Sequence, residues 1–198
     1  MSAAEGHASA VEVILGRDAA QHSHVEGLSG RPPVVLIDGR SGAGKSTLAE
    51  ALVARWRDSR VVDLIRLDDI YPGWSGLRAA SEHVTEHVLE PHARGVDGRW
   101  RRWDWKADTA AEWHGVDAGS ALVVEGCGVA SAANRALATT TVWVELDEPE
   151  RRRRALERDG DTFAPHWSAW ARDEARFIAL ESPQTSADLV IDGRTIAP

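Results

Sequence analysis

Short apolar runs alternate with longer amphipathic stretches along most of the chain. The apolar runs cover residues 34–37, 61–67, 121–125, 141–146 and 187–191. The β-branched apolar run at residues 34–37 is typical of a strand that is buried on both faces of a sheet. Together the runs predict five strands.

Helical spacing of apolar residues marks the stretches between these runs. Leu48, Leu52 and Trp56, for example, recur at intervals of four residues. Helices are predicted over residues 46–57, 77–94, 130–138, 148–159 and 165–180. Strands that alternate with helices predict an α/β fold, with a five-stranded parallel sheet and helices on both faces.

Two parts of the chain lack this alternation. Residues 1–31 are interpreted as an N-terminal extension, in which residues 11–15 fit either a short strand or a helical turn. Residues 32–198 then form the main domain, with a lid around residues 151–165. Residues 95–117 are predicted to be irregular, although they hold four tryptophans, Trp100, Trp103, Trp105 and Trp113.

Composition narrows the class of protein. The chain has 198 residues, 43% hydrophobic and 27% charged, which fits one globular domain. No apolar run is long enough to span a bilayer and the start carries no secretory pattern, so we expect a cytoplasmic protein that does not bind membranes. A net charge of −8 argues against nucleic acid as a partner, and the single cysteine, Cys127, excludes an internal disulfide. The sequence leaves open whether the protein forms a homodimer.

A glycine-rich loop carries the most specific chemical signal. Residues 39–46 match the Walker A pattern G-x-x-x-x-G-K-[ST] between a predicted strand and a predicted helix. Glycines let backbone N–H groups approach phosphate oxygens, Lys45 can reach the β- and γ-phosphates, and Ser46 can bind Mg²⁺. The residues expected to hold the nucleotide are Gly39, Ser41, Gly42, Ala43, Gly44, Lys45, Ser46 and Thr47.

Several classes of P-loop protein are excluded because the motifs that they need are missing from the sequence. GTPases need a base-reading Asn-Lys-x-Asp segment, but the one asparagine, Asn134, is followed by Arg135. The Leu-Ser-Gly-Gly-Gln signature of transporter ATPases is represented only by an incomplete run at residues 28–31, before the loop. Large motor ATPases need a longer chain. Small-molecule kinases remain.

Five segments in order resemble the uridine kinase-like group of P-loop nucleoside kinases. They are residues 37–49, 68–71, 103–105, 124–126 and 151–158, and the resemblance spans residues 34–192. It implies Mg²⁺-dependent transfer of the γ-phosphoryl of ATP to a hydroxyl of a small molecule, with a uridine-like nucleoside favoured.

The resemblance also assigns acceptor residues. Asp68 corresponds to the general base, with Asp69 as its rival, and either one could instead serve Mg²⁺ through water. By the same resemblance Tyr71 would contact the acceptor, and the alternative is that it packs against Pro72 and Trp74. Trp103 and Asp104 occupy the aromatic-acid segment that binds the acceptor, where Asp104 is the stronger candidate because clustered tryptophans also form small cores.

Further residues are assigned to the phosphates and the metal. Glu125 ends an apolar strand beside the loop, where a carboxylate can support Mg²⁺. Arg154 and Arg158 share one helix face and would cover the phosphates, by resemblance to the family's lid. Arg151 and Arg152 are interpreted as a solvated face, and Cys127 as a buried apolar residue.

The acceptor itself stays open. Residues 77–91 and 160–170 do not match the corresponding segments of pyrimidine nucleoside kinases. Two alternatives therefore remain. One is a kinase for another small metabolite or an antibiotic on the same scaffold. The other is a regulatory ATPase that acts on a protein partner without transferring phosphate.

Overall fold

A computed structural model of the chain describes residues 3–24, 31–56 and 60–196. The strands in these residues are β1 (Val34–Gly39), β2 (Val62–Arg66), β3 (Gly98–Asp104), β4 (Thr109–Val116), β5 (Ala121–Glu125), β6 (Thr140–Glu145) and β7 (Leu189–Asp192). The α-helices are α1 (Ala3–His24), α2 (Lys45–Ala54), α3 (Leu77–Val84), α4 (Glu90–Ala93), α5 (Ala132–Arg135), α6 (Glu148–Phe163), α7 (Trp167–Glu181) and α8 (Pro183–Ser186). A π-helical turn, Thr85–Leu89, joins α3 to α4, so the predicted helix over residues 77–94 is continuous.

Five strands form the central sheet of the described residues. Their order is β2-β5-β1-β6-β7, and each neighbouring pair is parallel. The predicted five-stranded parallel sheet is confirmed. Because all five strands run in one direction, the residues that follow them gather at a single edge of the sheet.

The sheet is covered by helices on both faces, also as predicted. Successive side chains of a strand point to opposite faces. In β1, Val34 and Leu36 belong to a core shared with α3, α6 and α7, whereas Val35 and Ile37 belong to a second core shared with α1 and α2. Burial on both sides explains why β1 has a continuous apolar run in the sequence.

Helix α1 lies in the segment that the sequence indicated as an extension. Its residues Val11 and Ile14 are fully buried in the core on the α2 side of the sheet. Arg17 pairs with Asp188 just before β7. The segment therefore contributes a helix to the packed fold, and residues 11–15 lie within that helix. Within the described residues, no helix has the length and apolar character needed to cross a membrane.

This packing predicts a stability difference between two neighbouring residues of α1. Ile14 has 0% of its surface exposed and Val13 has 46%. Ile14→Ala is expected to lower the free energy of unfolding by about 2–5 kcal/mol, since it leaves a cavity in the core. Val13→Ala is the control and should change it by less than about 0.5 kcal/mol. Urea unfolding of both variants checks this, and equal losses would mean that α1 does not pack on the core.

The segment from residue 95 to residue 117 was predicted to be irregular, and that prediction is wrong. It forms an antiparallel hairpin of β3 and β4, with Trp100 stacked on His114 at 4.3 Å between ring centroids. The ribbon pairs with no third strand among the described residues and has charged side chains on both faces. It therefore lacks the period-two apolar pattern that marks a half-buried strand.

The predicted lid corresponds to α6 and the turn after it. Helix α6 begins at Glu148, after Asp147 caps it by accepting a hydrogen bond from the Glu150 N–H. The helix is broken at Gly160, whose φ of 53° and ψ of −134° are not helical. A Cβ at this position would meet open space, so glycine is needed here for its backbone conformation.

Candidate active site

The glycine-rich loop lies between β1 and α2, as the sequence predicts. Gly42 and Gly44 have φ values of 81° and 106°, which side-chain-bearing residues rarely adopt. A Cβ on Gly42 would lie 2.1 Å from the carbonyl oxygen of Arg151. Helix α2 begins at Lys45, so its positive end faces the loop. The loop therefore has the geometry of an anion cradle.

Lys45 is buried at the start of α2. Its Nζ donates a hydrogen bond of 3.3 Å to the Arg40 carbonyl oxygen and lies 3.3 Å from Cys127 Sγ. Burial by itself would lower the pKa of Lys45, but Cys127 and the nearby carboxylates raise it above its ordinary value. The side chain is therefore a fixed positive charge, as phosphate binding requires.

Ser46 and Glu125 are brought together as a pair of oxygen ligands. The Ser46 hydroxyl donates a 2.9 Å hydrogen bond to Glu125 Oε1. Burial raises the pKa of Glu125, while Lys45 opposes that shift. A serine hydroxyl and a carboxylate are hard oxygen donors that suit Mg²⁺.

Asp68 and Asp69 follow β2 in a short 3₁₀ turn, but they face different surroundings. Asp68 lines a cavity beside the loop, and its carbonyl oxygen accepts a 2.8 Å hydrogen bond from the Trp105 indole N–H. Asp69 lies outside that cavity, and burial raises its pKa against the opposing charge of Arg66. Of the two rivals, Asp68 is the one next to the loop.

The cavity beside Asp68, called here the acceptor-side cavity, has a volume of about 590 Å³. Its polar wall contains Lys45, Ser46 and Glu125. Its remaining wall is formed largely by aromatic rings, which are those of Tyr71, Trp74, Trp105, Phe163 and Trp170. These rings pack on one another. The centroid of the Trp74 ring lies 4.9 Å from that of Trp105, 5.4 Å from that of Phe163 and 6.4 Å from that of Trp170.

A second cavity, called here the loop-side cavity, has a volume of about 290 Å³ and also borders Lys45. Its lining includes Gly44, Thr47, Arg154 and Ile196. The two cavities share Gly42, Lys45, Ser46 and Arg158. Lys45 and Ser46 of the loop pattern therefore lie where the two cavities meet.

The arginines of α6 have distinct surroundings. Arg154 donates to the Gly193 carbonyl oxygen at 3.1 Å and pairs with Glu150, beside the loop-side cavity. Arg158 pairs with Asp159 at 2.7 Å and lines both cavities. Both are therefore placed next to the predicted phosphate site.

Arg151 was interpreted as part of a solvated face, and this interpretation is wrong. Its side chain is 2% exposed. It donates to the Leu146 carbonyl oxygen at 2.9 Å and to the Ser41 carbonyl oxygen at 3.2 Å, and burial lowers its pKa. Arg151 therefore ties α6 to the loop, and the two carbonyl groups replace the hydrogen bonds to water that its guanidinium loses on burial. Arg152 is exposed, in agreement with the prediction.

The predicted acceptor residues are only partly brought together. Tyr71 lines the acceptor-side cavity, and its hydroxyl donates a hydrogen bond to the Cys127 carbonyl oxygen at 2.9 Å. Tyr71 therefore forms part of the cavity wall and is also held in the packed core. Asp104 accepts 3.0 Å hydrogen bonds from the N–H groups of Lys106 and Ala107, which closes the hairpin turn. Asp104 and Trp103 lie outside both cavities, and Trp105 reaches the site instead.

Two buried acids near the loop were missed at the sequence level. Asp38 accepts backbone hydrogen bonds from Gly39, Gly128 and Ala130, and burial raises its pKa to about 6. Glu174 of α7 contacts Arg40 and Ser41. A signal for Glu174 was present, because it follows Trp170 by four residues and therefore shares its buried face.

Comparisons with known proteins agree with this architecture. The family model described as an AAA domain matches residues 35–163, from β1 to the end of the lid helix. No curated protein matches the chain in sequence.

Two solved structures share the fold. A possible uridine kinase from Bacillus stearothermophilus is 18% identical with a TM-score of 0.61, and the match covers 91% of this chain and 100% of that one. A protein of Silicibacter sp. TM1040, provisionally named as a fructose transport system kinase, is 19% identical with a TM-score of 0.58, and the match covers 93% of this chain and 98% of that one. At these identities the likeness establishes a P-loop kinase-like fold.

Proposed function

Since the chain belongs to the AAA domain family of P-loop proteins, we propose that it is a phosphotransferase that moves the γ-phosphoryl group of ATP to a hydroxyl of a small molecule. Membership of the family accounts for nucleotide binding and leaves the reaction open. The observation that carries the proposal is the pair of cavities that meet at Lys45 and Ser46.

The two cavities suit a reaction with two substrates. Hydrolysis of ATP needs room for only one water beside the γ-phosphate. The acceptor-side cavity, at about 590 Å³, has the size of a site for a small organic ligand. The loop-side cavity is bordered by Thr47 and Arg154 and is suited to the nucleotide. The γ-phosphoryl group would then lie where the cavities join, between donor and acceptor.

The charged side chains around this junction fit phosphoryl transfer. Lys45 and Arg158 would stabilise the negative charge on the transferred group, with Arg154 at the nucleotide side. Asp68 lines the acceptor-side cavity and would take the proton of the attacking hydroxyl. Catalysis would thus come from positioning and from charge, without a covalent intermediate.

Mg²⁺ fits the residues next to the loop. Ser46 and Glu125 would hold it, the carboxylate either directly or through water. The described residues contain no cluster of three or more His, Cys, Asp or Glu side chains that could hold a metal by themselves. That is compatible with Mg²⁺, which proteins usually bind together with substrate phosphates and water. When bound, the ion would neutralise charge on the β- and γ-phosphates.

For the acceptor we favour a uridine-like nucleoside. Aromatic rings such as Trp74 and Trp105 can stack on a planar base, and one structure of similar fold is named a possible uridine kinase. The alternative acceptor is a sugar or another small metabolite, since the second structure of similar fold is named for fructose. The proposed partner of the chain is therefore a small-molecule acceptor.

The test is a panel of acceptors with Mg²⁺-ATP. ADP release would be measured with uridine, cytidine, fructose, and no acceptor. The proposal predicts that at least one compound raises ADP release about a hundredfold or more over the acceptor-free rate, because proximity of an oriented hydroxyl strongly favours transfer over hydrolysis. A slow rate that no compound raises, but that a protein partner stimulates, would instead identify a regulatory ATPase.

A further inference from the structure

Helix α7 makes direct contacts with the first half of the phosphate loop. The Trp170 indole N–H donates to Ser41 Oγ at 2.9 Å. Glu174 accepts from the Ser41 backbone N–H at 2.7 Å and from Arg40 Nε at 3.0 Å. Arg40 also donates to the Ala171 carbonyl oxygen at 3.3 Å. Arg40 and Ser41 are therefore held by one face of α7.

These contacts are made in a buried environment. Trp170 is 5% exposed and Glu174 is 3% exposed. Burial acts against the charge of Glu174, but the Ser41 N–H, Lys45 and Arg40 outweigh it and lower the pKa of Glu174. Glu174 is therefore an ionised acceptor, and hydrogen bonds to a charged group of this kind are stronger than neutral ones.

Ser41 lies at the acceptor end of the loop. It lines the acceptor-side cavity but not the loop-side cavity. Its Oγ lies 3.4 Å from Cys127 Sγ, and Lys45 Nζ lies 3.3 Å from the same sulfur. Ser41 is thus close to the ammonium group that reaches the β- and γ-phosphates in this motif. A triphosphate would present its last phosphate to Ser41, whereas a diphosphate would end before it.

From this arrangement we propose that Trp170 and Glu174 are positioning residues, which hold Ser41 where the loop meets the γ-phosphate and so let the loop distinguish ATP from ADP. The remaining loop, from Gly42 to Ser46, would hold the β-phosphate of either nucleotide. The inference rests on the proposed function, which identifies the nucleotide as ATP. It does not depend on which acceptor is used, or on whether there is one.

The experiment measures ATP and ADP affinities by titration calorimetry with Mg²⁺ and no acceptor, on the full chain. Trp170→Phe keeps a ring and deletes the N–H donor, and should weaken ATP binding about three- to tenfold. Glu174→Gln keeps the shape and removes the charge, and should weaken ATP binding about tenfold or more. ADP affinity should stay within about twofold of the original protein in both variants. Trp167→Phe, a buried tryptophan of the same helix, is the control and should alter neither affinity.

The ratio of the two affinities separates positioning from general stability. A larger ATP-to-ADP ratio of dissociation constants in either variant supports the inference. A parallel loss for both nucleotides, or no change, overturns it. The result is independent of the transfer reaction. If the variants change the ratio but the protein transfers phosphate to no acceptor, only the proposed function is refuted. If the protein is an active kinase but the variants leave the ratio unchanged, only this inference is refuted.

Discussion

Lys45→Met is expected to lower phosphoryl transfer by about 10²–10³-fold and to weaken ATP binding. The methionine side chain is about as long as that of lysine, but it lacks the positive charge that Lys45 offers to the phosphates. Removing one preorganised electrostatic contact to a transition state has effects of this size. The loss also leaves the neighbouring carboxylates Glu125 and Glu174 without a cation that they share. The measurements are ADP release at saturating ATP and calorimetric titration with Mg²⁺-ATP.

Lys106 provides a matched control for this substitution. It is the one other lysine of the chain, and it lies exposed in the turn of the hairpin. Lys106→Met should therefore leave ATP binding and transfer within about twofold, as expected for an exposed side chain that lines neither cavity. Circular dichroism would verify that both variants keep their fold. Equal activity of the two variants would remove Lys45 from the role assigned to it.

Asp68→Asn should reduce transfer about 10²–10⁴-fold, while the affinity for ATP stays within about twofold. Asparagine has nearly the same shape as aspartate but cannot accept a proton, and loss of a positioned general base has effects in this range. ATP affinity should be kept because Asp68 lies in the acceptor-side cavity and is absent from the lining of the loop-side cavity.

Asp69→Asn tests the rival assignment under the same conditions. Asp69 is the adjacent carboxylate, with the same side chain and on the same turn, but outside the acceptor-side cavity. Its replacement should lower transfer no more than about threefold, the size of a modest indirect effect. The opposite pattern, with Asp68→Asn active and Asp69→Asn inactive, would make Asp69 the base.

The parts of the fold that could be predicted from sequence are those that local patterns determine. The β1 strand, the loop and α2 follow one another within about 20 residues, and each has its own signal of apolar run, glycines and helical spacing. The centre of the sheet could be predicted because its inner strands, β5, β1 and β6, are almost fully buried and therefore apolar. The β3–β4 hairpin could not be, since its exposed strands carry arginine and tryptophan without a single apolar face.

The acceptor side of the site was harder to predict for a physical reason. Trp74, Trp105 and Trp170 come from three separate segments and meet only in the folded chain. Choosing Trp105 over Trp103 and Asp104 would have required the register of the hairpin, which the sequence did not show. Arg151 was likewise read as surface among other arginines, because its partner carbonyl groups at Leu146 and Ser41 are backbone atoms without sequence signals.

The most direct test of the proposed site is a crystal structure with Mg²⁺ and a non-hydrolysable ATP analogue. We expect the β-phosphate to lie along the loop between Gly42 and Ser46, and the γ-phosphate to lie beside Ser41 and Lys45, open to the acceptor-side cavity. The Asp68 carboxylate should then be the aspartate nearest to the γ-phosphorus, with space for one hydroxyl between them. A γ-phosphate that points away from this cavity, or one that lies closer to Asp69 than to Asp68, would contradict the account.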